Sequence, residues 1–163
     1  AGLLQGSPDG VPLDALTTDF MVGELESEIV RAFEETKPQV IVVEGQGSIT
    51  HPAYVCGSRS IVMASMPSAI LMMHPPARQV RDYLADTVAW PMPKPEEEIE
   101  ALEFAARIAG GGKVFAIGLN HEHMTRAQVD ETAAEYERRY GLPTADPLWH
   151  GCEKFADAIR AML

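Results

Sequence analysis

The chain has 163 residues, about one domain by length, and its apolar content of 46% is ordinary for a globular protein. The formal net charge of −11 argues against partners that need a basic surface, so we expect neither nucleic acid nor a membrane to bind it. Two cysteines are too few for a disulfide framework, and no apolar run reaches the length of a membrane span. These features indicate a cytoplasmic protein whose partner is a small molecule.

The predicted elements alternate between helices and short apolar strands. An apolar stripe of helical period predicts a helix from about Asp14 to Lys37, which Pro38 ends. Strands buried on both faces are predicted where apolar residues run on without alternation, at 39–44, 69–73 and 113–119. Further helices are predicted at about 60–66, 95–109, 126–140 and 152–163, with a short extended piece at 143–146. Thr125 and Gln128 have the spacing of a capping box at the start of the helix at 126–140.

This alternation predicts a single α/β domain over residues 1–163, with a mostly parallel sheet between two layers of helices. Right-handed crossovers place the carboxyl ends of parallel strands at one edge of the sheet. Glu44, His74 and Asn120 each follow a predicted strand, so we expect them to meet there. Ligands of open α/β sheets bind beyond this edge, which makes it the predicted site.

The stretch Val40–Ser48 is the strongest site candidate, because a buried strand there ends on a carboxylate that two glycines follow closely. Glu44 has the chemistry of a general base or of a metal-bound carboxylate. Gly45 and Gly47 would let a phosphate or carboxylate approach the backbone. The alternative is a tight glycine turn after a strand, with Glu44 merely solvated.

Two pairs of residues raise the question of a metal ion. Asp14 and Asp19 lie at the start of the first helix, where they either cap it and complement its dipole or hold magnesium. His121 and His123 are separated by one residue, but two histidines without a third nearby ligand are a weak indication of zinc. Capping is the favoured interpretation of the aspartates.

Two further polar residues have two open roles each. His51 is either a catalytic or substrate-orienting group, or a polar surface residue in a turn before proline. Asn120 follows a strand and hydrogen-bonds either a ligand ring or the backbone of its own loop.

Four segments carry a resemblance to a known family: Gly10–Asp14 with Asp19-Phe20, Val43–Ser48 with His51-Pro52, Lys113–Asn120, and Gly141–Pro147. They resemble the C-terminal domain of a bacterial P-loop family, long described as a domain of unknown function, that includes D-glutamate N-acetyltransferases. The resemblance covers almost the whole chain. Its most specific part, Glu-Gly-Gln-Gly-Ser…His-Pro, is also similar to the Glu-Gly-x-Gly segment of dethiobiotin synthetase.

The resemblance implies a P-loop NTPase-like fold and transfer of an acetyl group from acetyl-CoA to the amino group of an acidic amino acid such as D-glutamate. Glu44 or His51 would take the proton of the amine. The alternatives are an ATP- and Mg²⁺-dependent enzyme similar to dethiobiotin synthetase, with Asp14 and Asp19 near the metal, and a non-catalytic ligand-binding or assembly module. The residues expected to bind the cofactor are Gly45, Gln46, Gly47, Ser48 and Asn120.

The chain departs from the family pattern in one respect. Full members carry an N-terminal Rossmann-like domain followed by a phosphate-binding loop, and no G-x-x-x-x-G-K-[ST] run occurs in these 163 residues. We therefore expect a C-terminal fragment of a longer two-domain protein that lacks the first strand and the phosphate loop, or a chain whose missing part a separate chain supplies. We also expect a homo-oligomer.

Overall fold

The computed structural model describes residue 6 and residues 9–45, 47–53, 56–81 and 88–163. The chain divides into two compact units: unit 1 is Ala1–Ser68 with Ala101–Gly112, and unit 2 is Ala69–Glu100 with Lys113–Leu163. A short 3₁₀ helix, Leu13–Ala15, precedes the main elements. These are α1 (Thr18–Thr36), α2 (Gly57–Ser65), β1 (Ala69–His74), α3 (Pro95–Ile108), β2 (Lys113–Leu119), α4 (Arg126–Tyr140), β3 (Thr144–Ala145) and α5 (Glu153–Arg160).

Unit 2 contains a parallel sheet with the strand order β1-β2-β3. In the register between β1 and β2, His74 pairs with Leu119 at the carboxyl ends. Ile117 in the middle of β2 pairs with Thr144 of β3, and it is fully buried. The predicted parallel sheet is therefore confirmed, with the central strand in the least exposed position.

Helices α4 and α5 pack on opposite faces of this sheet. Tyr136 of α4 lies near His74, with ring centroids 6.0 Å apart, whereas Phe155 of α5 packs with Ala116 in the core. Ala116 pairs with Leu71 of β1, and successive strand residues point to opposite faces, so Leu71 and His74 lie on different faces. Unit 2 therefore has the helix–sheet–helix layers predicted from the sequence.

Unit 1 is built from α1 against α2. Met21 and Leu25 of α1 and Val62 of α2 are buried, as their helical spacing requires. The buried Ser60 hydroxyl donates to the sulfur of Met21 at 3.7 Å, which gives the hydroxyl a partner within the contact. Among the described residues, no helix is both long and apolar enough to cross a membrane.

The prediction of a strand at 39–44 is wrong. Residues 40–45 belong to no helix or strand, and the exposed fraction of Val42 is 81%. β-branched residues favour extended backbone, but a strand also needs a neighbour for its hydrogen bonds, and no described segment pairs with this one. Glu44 consequently does not end a buried strand. The predicted cap of α1 also differs, because the N-cap is Thr17 and Asp14 lies in the 3₁₀ turn before it.

Helix α4 begins with the capping box predicted from the sequence. The Thr125 hydroxyl accepts from the backbone N–H of Gln128, and the Gln128 side chain accepts from the backbone N–H of Thr125 at 2.8 Å. These two bonds satisfy N–H groups that a helix start otherwise leaves without partners. Gly141, in the left-handed region at φ 67°, ends the helix.

Thr125→Ala is expected to lower the free energy of unfolding by about 1 kcal/mol, because one of the two capping bonds disappears. Thr125→Ser keeps the hydroxyl and is the matched control. Urea denaturation of both variants followed by circular dichroism measures the difference, and equal stability of the two variants would contradict the role of the cap.

Candidate functional site

The carboxyl ends of the three strands in unit 2 bring polar residues together. His74 ends β1, Asn120 and His121 follow β2, and Asp146 follows β3. The backbone N–H of Asn120 donates to the carbonyl of His74 at 2.9 Å, so the first two strand ends are tied directly to each other. The predicted proximity of His74 and Asn120 is confirmed. Glu44, the third residue of that prediction, belongs to unit 1.

A histidine and an aspartate form a close pair at this edge. Nδ1 of His121 lies 2.6 Å from Oδ2 of Asp146. The other oxygen of Asp146 accepts from the backbone N–H groups of Leu148 and Trp149, each at 2.9 Å. Aspartate side chains commonly hydrogen-bond the backbone two or three residues on, which explains why this one folds its own turn. The turn thus fixes the position of the carboxylate oxygen that contacts the imidazole.

The protonation state of Asp146 follows from its surroundings. Burial on its own raises the pKa of Asp146, but hydrogen bonds from the Trp149 N–H, His121 and the Leu148 N–H outweigh it, so the pKa lies below its ordinary value. Asp146 is therefore a carboxylate at neutral pH and accepts from Nδ1–H of His121. A neutral imidazole then carries its lone pair on Nε2. The His121 side chain is 27% exposed and that of Asp146 only 1%.

Trp149 covers one face of the His121 ring. The two rings are stacked, with centroids 3.8 Å apart and an interplanar angle of 10°. The guanidinium of Arg126, at the start of α4, donates to the carbonyl of Trp149 at 2.9 Å. The imidazole is thus held in its plane by a ring on one face and by a carboxylate at one edge.

A second imidazole, that of His150, also holds this turn, but its Nδ1 accepts a hydrogen bond, whereas Nδ1–H of His121 donates one. Nδ1 of His150 accepts from the backbone N–H of Asp146 at 3.1 Å, and Nε2 lies 2.8 Å from Oδ1 of Asp130. A neutral ring that accepts at Nδ1 carries its proton on Nε2, which donates to the Asp130 carboxylate. The His150 ring therefore has both nitrogens engaged in holding the turn.

The loop after β2 uses Asn120 for its own shape. The Asn120 side-chain oxygen accepts from the backbone N–H of Glu122 at 3.1 Å. The Glu122 carboxylate pairs with Arg78, which follows β1, and this hydrogen bond from Arg78 is the main cause of a lowered Glu122 pKa. The loop-backbone role left open for Asn120 is thus the one that the structure displays, and its part in binding a cofactor stays a prediction.

His74 is the buried member of the edge. Burial lowers its pKa, and the charge of Glu98 opposes that shift, so the ring is neutral at neutral pH. Glu98 is itself buried beside Arg81, with 3.7 Å between the charged atoms. His74 therefore belongs to the packed floor of the site.

Most of the residues predicted for the site lie in unit 1. Glu44, Gly45 and Gly47 are exposed, and Gln46 lies outside the described residues. The Ser48 hydroxyl is 3.0 Å from the Thr50 hydroxyl and accepts from the Thr50 N–H, so it shapes its own turn. Nδ1 of His51 accepts from the Ala53 N–H at 3.0 Å, which occupies the lone pair of a neutral ring. Their catalytic and cofactor-binding roles stay predictions.

The two aspartates weighed as magnesium ligands are both exposed. Asp14 lies in the 3₁₀ turn, and Asp19 lies in the first turn of α1, where its charge complements the helix dipole. Among the residues that the structure describes, no group of three or more His, Cys, Asp and Glu side chains is placed to hold a metal ion.

His121, Asp146 and Trp149 were not identified as a site from the sequence. In the sequence, His121 is part of a weak metal motif, and Asp146 ends an extended piece within the segment Gly141–Pro147 that resembles the family. The available signal was the rule already applied to Glu44, that polar residues just after parallel strands meet at one edge. Since β3 has only two residues, its pattern is too short to mark Asp146 as a strand end.

Comparisons with known proteins identify relatives over nearly the whole chain. Residues 1–156 match the family model described as "Domain of unknown function (DUF1611_C) P-loop domain". A D-glutamate N-acetyltransferase of Tritonibacter scottomollicae is 33% identical over 155 residues, covering 94% of this chain and 45% of the relative. A protein of the same name from a Pseudoalteromonas species is 32% identical over 152 residues, covering 93% of this chain and 43% of the relative.

A solved structure agrees with these sequence matches. The crystal structure of a DUF1611 family protein from Anabaena variabilis superposes with a TM-score of 0.84 at 27% identity, over 98% of this chain and 45% of that one. The chain thus spans less than half the length of each of these relatives. The matched family model and the shared α/β architecture show that the chain belongs to the DUF1611 P-loop family.

Proposed function

We propose that the protein containing this chain transfers an acetyl group from acetyl-CoA to the amino group of an acidic amino acid such as D-glutamate. The observation that carries the proposal is the similarity of nearly the whole chain, at 33% and 32% identity, to two D-glutamate N-acetyltransferases. Because the chain spans less than half of either relative, the activity is proposed for the full-length protein.

The proposed reaction sets two chemical requirements for its site. A neutral amine attacks a thioester, so the site must remove a proton and stabilise the oxygen that becomes negative. Glu44 and His51 are the residues predicted from the sequence to take the proton. Gly47 has a φ of 82°, and exposed glycine loops bring backbone N–H groups close to anions. We propose Gly45, Gln46, Gly47, Ser48 and Asn120 as the residues that contact the cofactor.

The word P-loop in the family description supports a ligand that carries phosphate groups. Acetyl-CoA carries a diphosphate, and ATP carries a triphosphate. The alternative function, an ATP- and Mg²⁺-dependent reaction like that of dethiobiotin synthetase, therefore belongs in the same experiment.

The test uses the purified full-length protein with acetyl-CoA and D-glutamate. Release of the free thiol, measured by its reaction with a disulfide dye, and N-acetylglutamate identified by mass spectrometry are the expected results. L-glutamate and D-alanine as acceptors test chirality and the need for an acidic side chain. Magnesium-dependent ATP hydrolysis without thiol release would instead favour the alternative function.

A further inference from the structure

We propose that Nε2 of His121 accepts the proton of the attacking amine, and that Asp146 is the positioning residue that makes this nitrogen available. The inference rests on the proposed acetyl transfer and names the group that performs its proton transfer. It assigns to unit 2 a role that the sequence predictions gave to Glu44 or His51.

The hydrogen bonds of the histidines single out His121. In His51 and His150, Nδ1 accepts a backbone N–H, so the lone pair of the neutral ring is already used. His74 is buried below the edge, and the His123 side chain is 78% exposed beside Glu122. Within the part of the chain that the structure describes, His121 is the one histidine of the five whose Nδ1 lies against a buried carboxylate.

Nε2 of His121 has a fixed orientation, and the His121 side chain is 27% exposed. Among the described residues, none forms a hydrogen bond with its Nε2. The ring is fixed by Asp146 at Nδ1 and by the stacked Trp149, so Nε2 points away from both partners. A histidine held in one tautomer by a buried carboxylate is the arrangement that general-base catalysis uses.

The step balances with the two substrates alone. The amine nitrogen attacks the thioester carbonyl carbon, so a C–N bond forms, and the C–S bond breaks as the thiolate leaves. The proton of the attacking nitrogen moves to Nε2 of His121 and then to the sulfur, which gives the free thiol. Between these transfers the imidazolium is stabilised by the Asp146 carboxylate at 2.6 Å.

The experiment compares His121→Ala with His123→Ala in the full-length protein. We expect kcat/KM for acetyl-CoA and D-glutamate to fall by about 10²–10⁴-fold in His121→Ala and to stay near wild type in His123→Ala, since His123 is exposed two residues away. Added imidazole should restore part of the activity of His121→Ala, which a purely structural role would not allow.

Asp146→Asn tests the positioning role. The amide oxygen still accepts from the backbone of the turn, while its NH₂ now donates to Nδ1 and moves the imidazole proton to Nε2. We expect kcat to fall with KM little changed, and ¹⁵N NMR of the histidine ring to show Nδ1–H in the wild type and Nε2–H in the variant. An Nε2–H ring in the wild type would overturn the assignment.

The kinetic outcomes separate the two proposals. If the wild type transfers the acetyl group and His121→Ala keeps the wild-type kcat/KM, the role of His121 is overturned. The acetyltransferase proposal then still stands. A wild-type protein that acetylates none of the tested amines overturns the proposed function, and the assignment of a proton acceptor falls with it.

Discussion

Replacing Ile117 by Ala is expected to lower the free energy of unfolding by about 3 kcal/mol. Ile117 is fully buried in β2, the central strand of the sheet, and its neighbours include both flanking strands through Met72 and Thr144. Truncation removes three carbon atoms from a packed interior, and the surrounding strands cannot collapse into the space without breaking their register.

Two other variants calibrate this effect. Ile117→Val removes a single methyl group and should cost about 1 kcal/mol. Ile108→Ala makes the same substitution at a position where 58% of the residue is exposed, so its effect should be small. Urea denaturation of the full-length protein, with hydrogen exchange of the β2 amides to assign the loss to this sheet, measures all three. Equal destabilisation by Ile117→Ala and Ile108→Ala would contradict the central position of β2.

Replacing Asp146 by Ala is expected to cost about 2–4 kcal/mol at neutral pH, because a buried side chain that accepts three hydrogen bonds is removed. The backbone N–H groups of Leu148 and Trp149 would then lose their acceptor in a part-buried turn. Thermal and urea unfolding of the variant measure this loss, and a stability equal to that of the wild type would contradict the role of the carboxylate in the turn.

The same carboxylate makes stability depend on pH in a defined direction. Burial opposes ionisation of Asp146, but hydrogen bonds from the turn and from His121 leave its folded-state pKa below the unfolded value. A depressed pKa adds stability above the unfolded value of about 3.9, and that stability is lost as the pH falls through the folded value. The wild type should therefore lose stability below about pH 4 more steeply than Asp146→Asn does.

Unfolding free energies of the wild type and Asp146→Asn between about pH 5 and pH 3 measure this difference. Asp157→Asn is the control, since Asp157 lies in α5 and its side chain is 72% exposed. The difference in unfolding free energy between the wild type and Asp146→Asn should become smaller as the pH falls. The difference between the wild type and Asp157→Asn should stay the same. A difference between the wild type and Asp146→Asn that grows as the pH falls would contradict the predicted direction of the pH dependence.

Much of the architecture could be predicted from local patterns. The two longer strands, at 69–74 and 113–119, are unbroken apolar runs because helices cover both faces of the sheet. The capping box of α4 was predicted from the spacing of Thr125 and Gln128, since its bonds join residues three apart. The predicted strand at 39–44 failed because hydrogen-bond partners are a tertiary property that β-branched composition cannot supply.

The candidate site was harder to predict, because its residues lie far apart in the sequence. His121 and Asp146 are 25 residues apart, and only the parallel pairing of β2 with β3 brings them together. The rule about strand ends points to the edge where these residues lie, but four β-branched residues before Glu44 direct the prediction to that residue instead. The shortness of β3 hid the equivalent position at Asp146.

The turn after β3 is closed by bonds within itself. The side chain of Asp146 accepts from Leu148 and Trp149, and the N–H of His150 donates to the Asp146 carbonyl at 2.8 Å. Leu148 contributes only its backbone to these bonds, and 82% of the residue is exposed. Laboratory evolution can therefore vary the Leu148 side chain next to Trp149 while the turn itself keeps its shape.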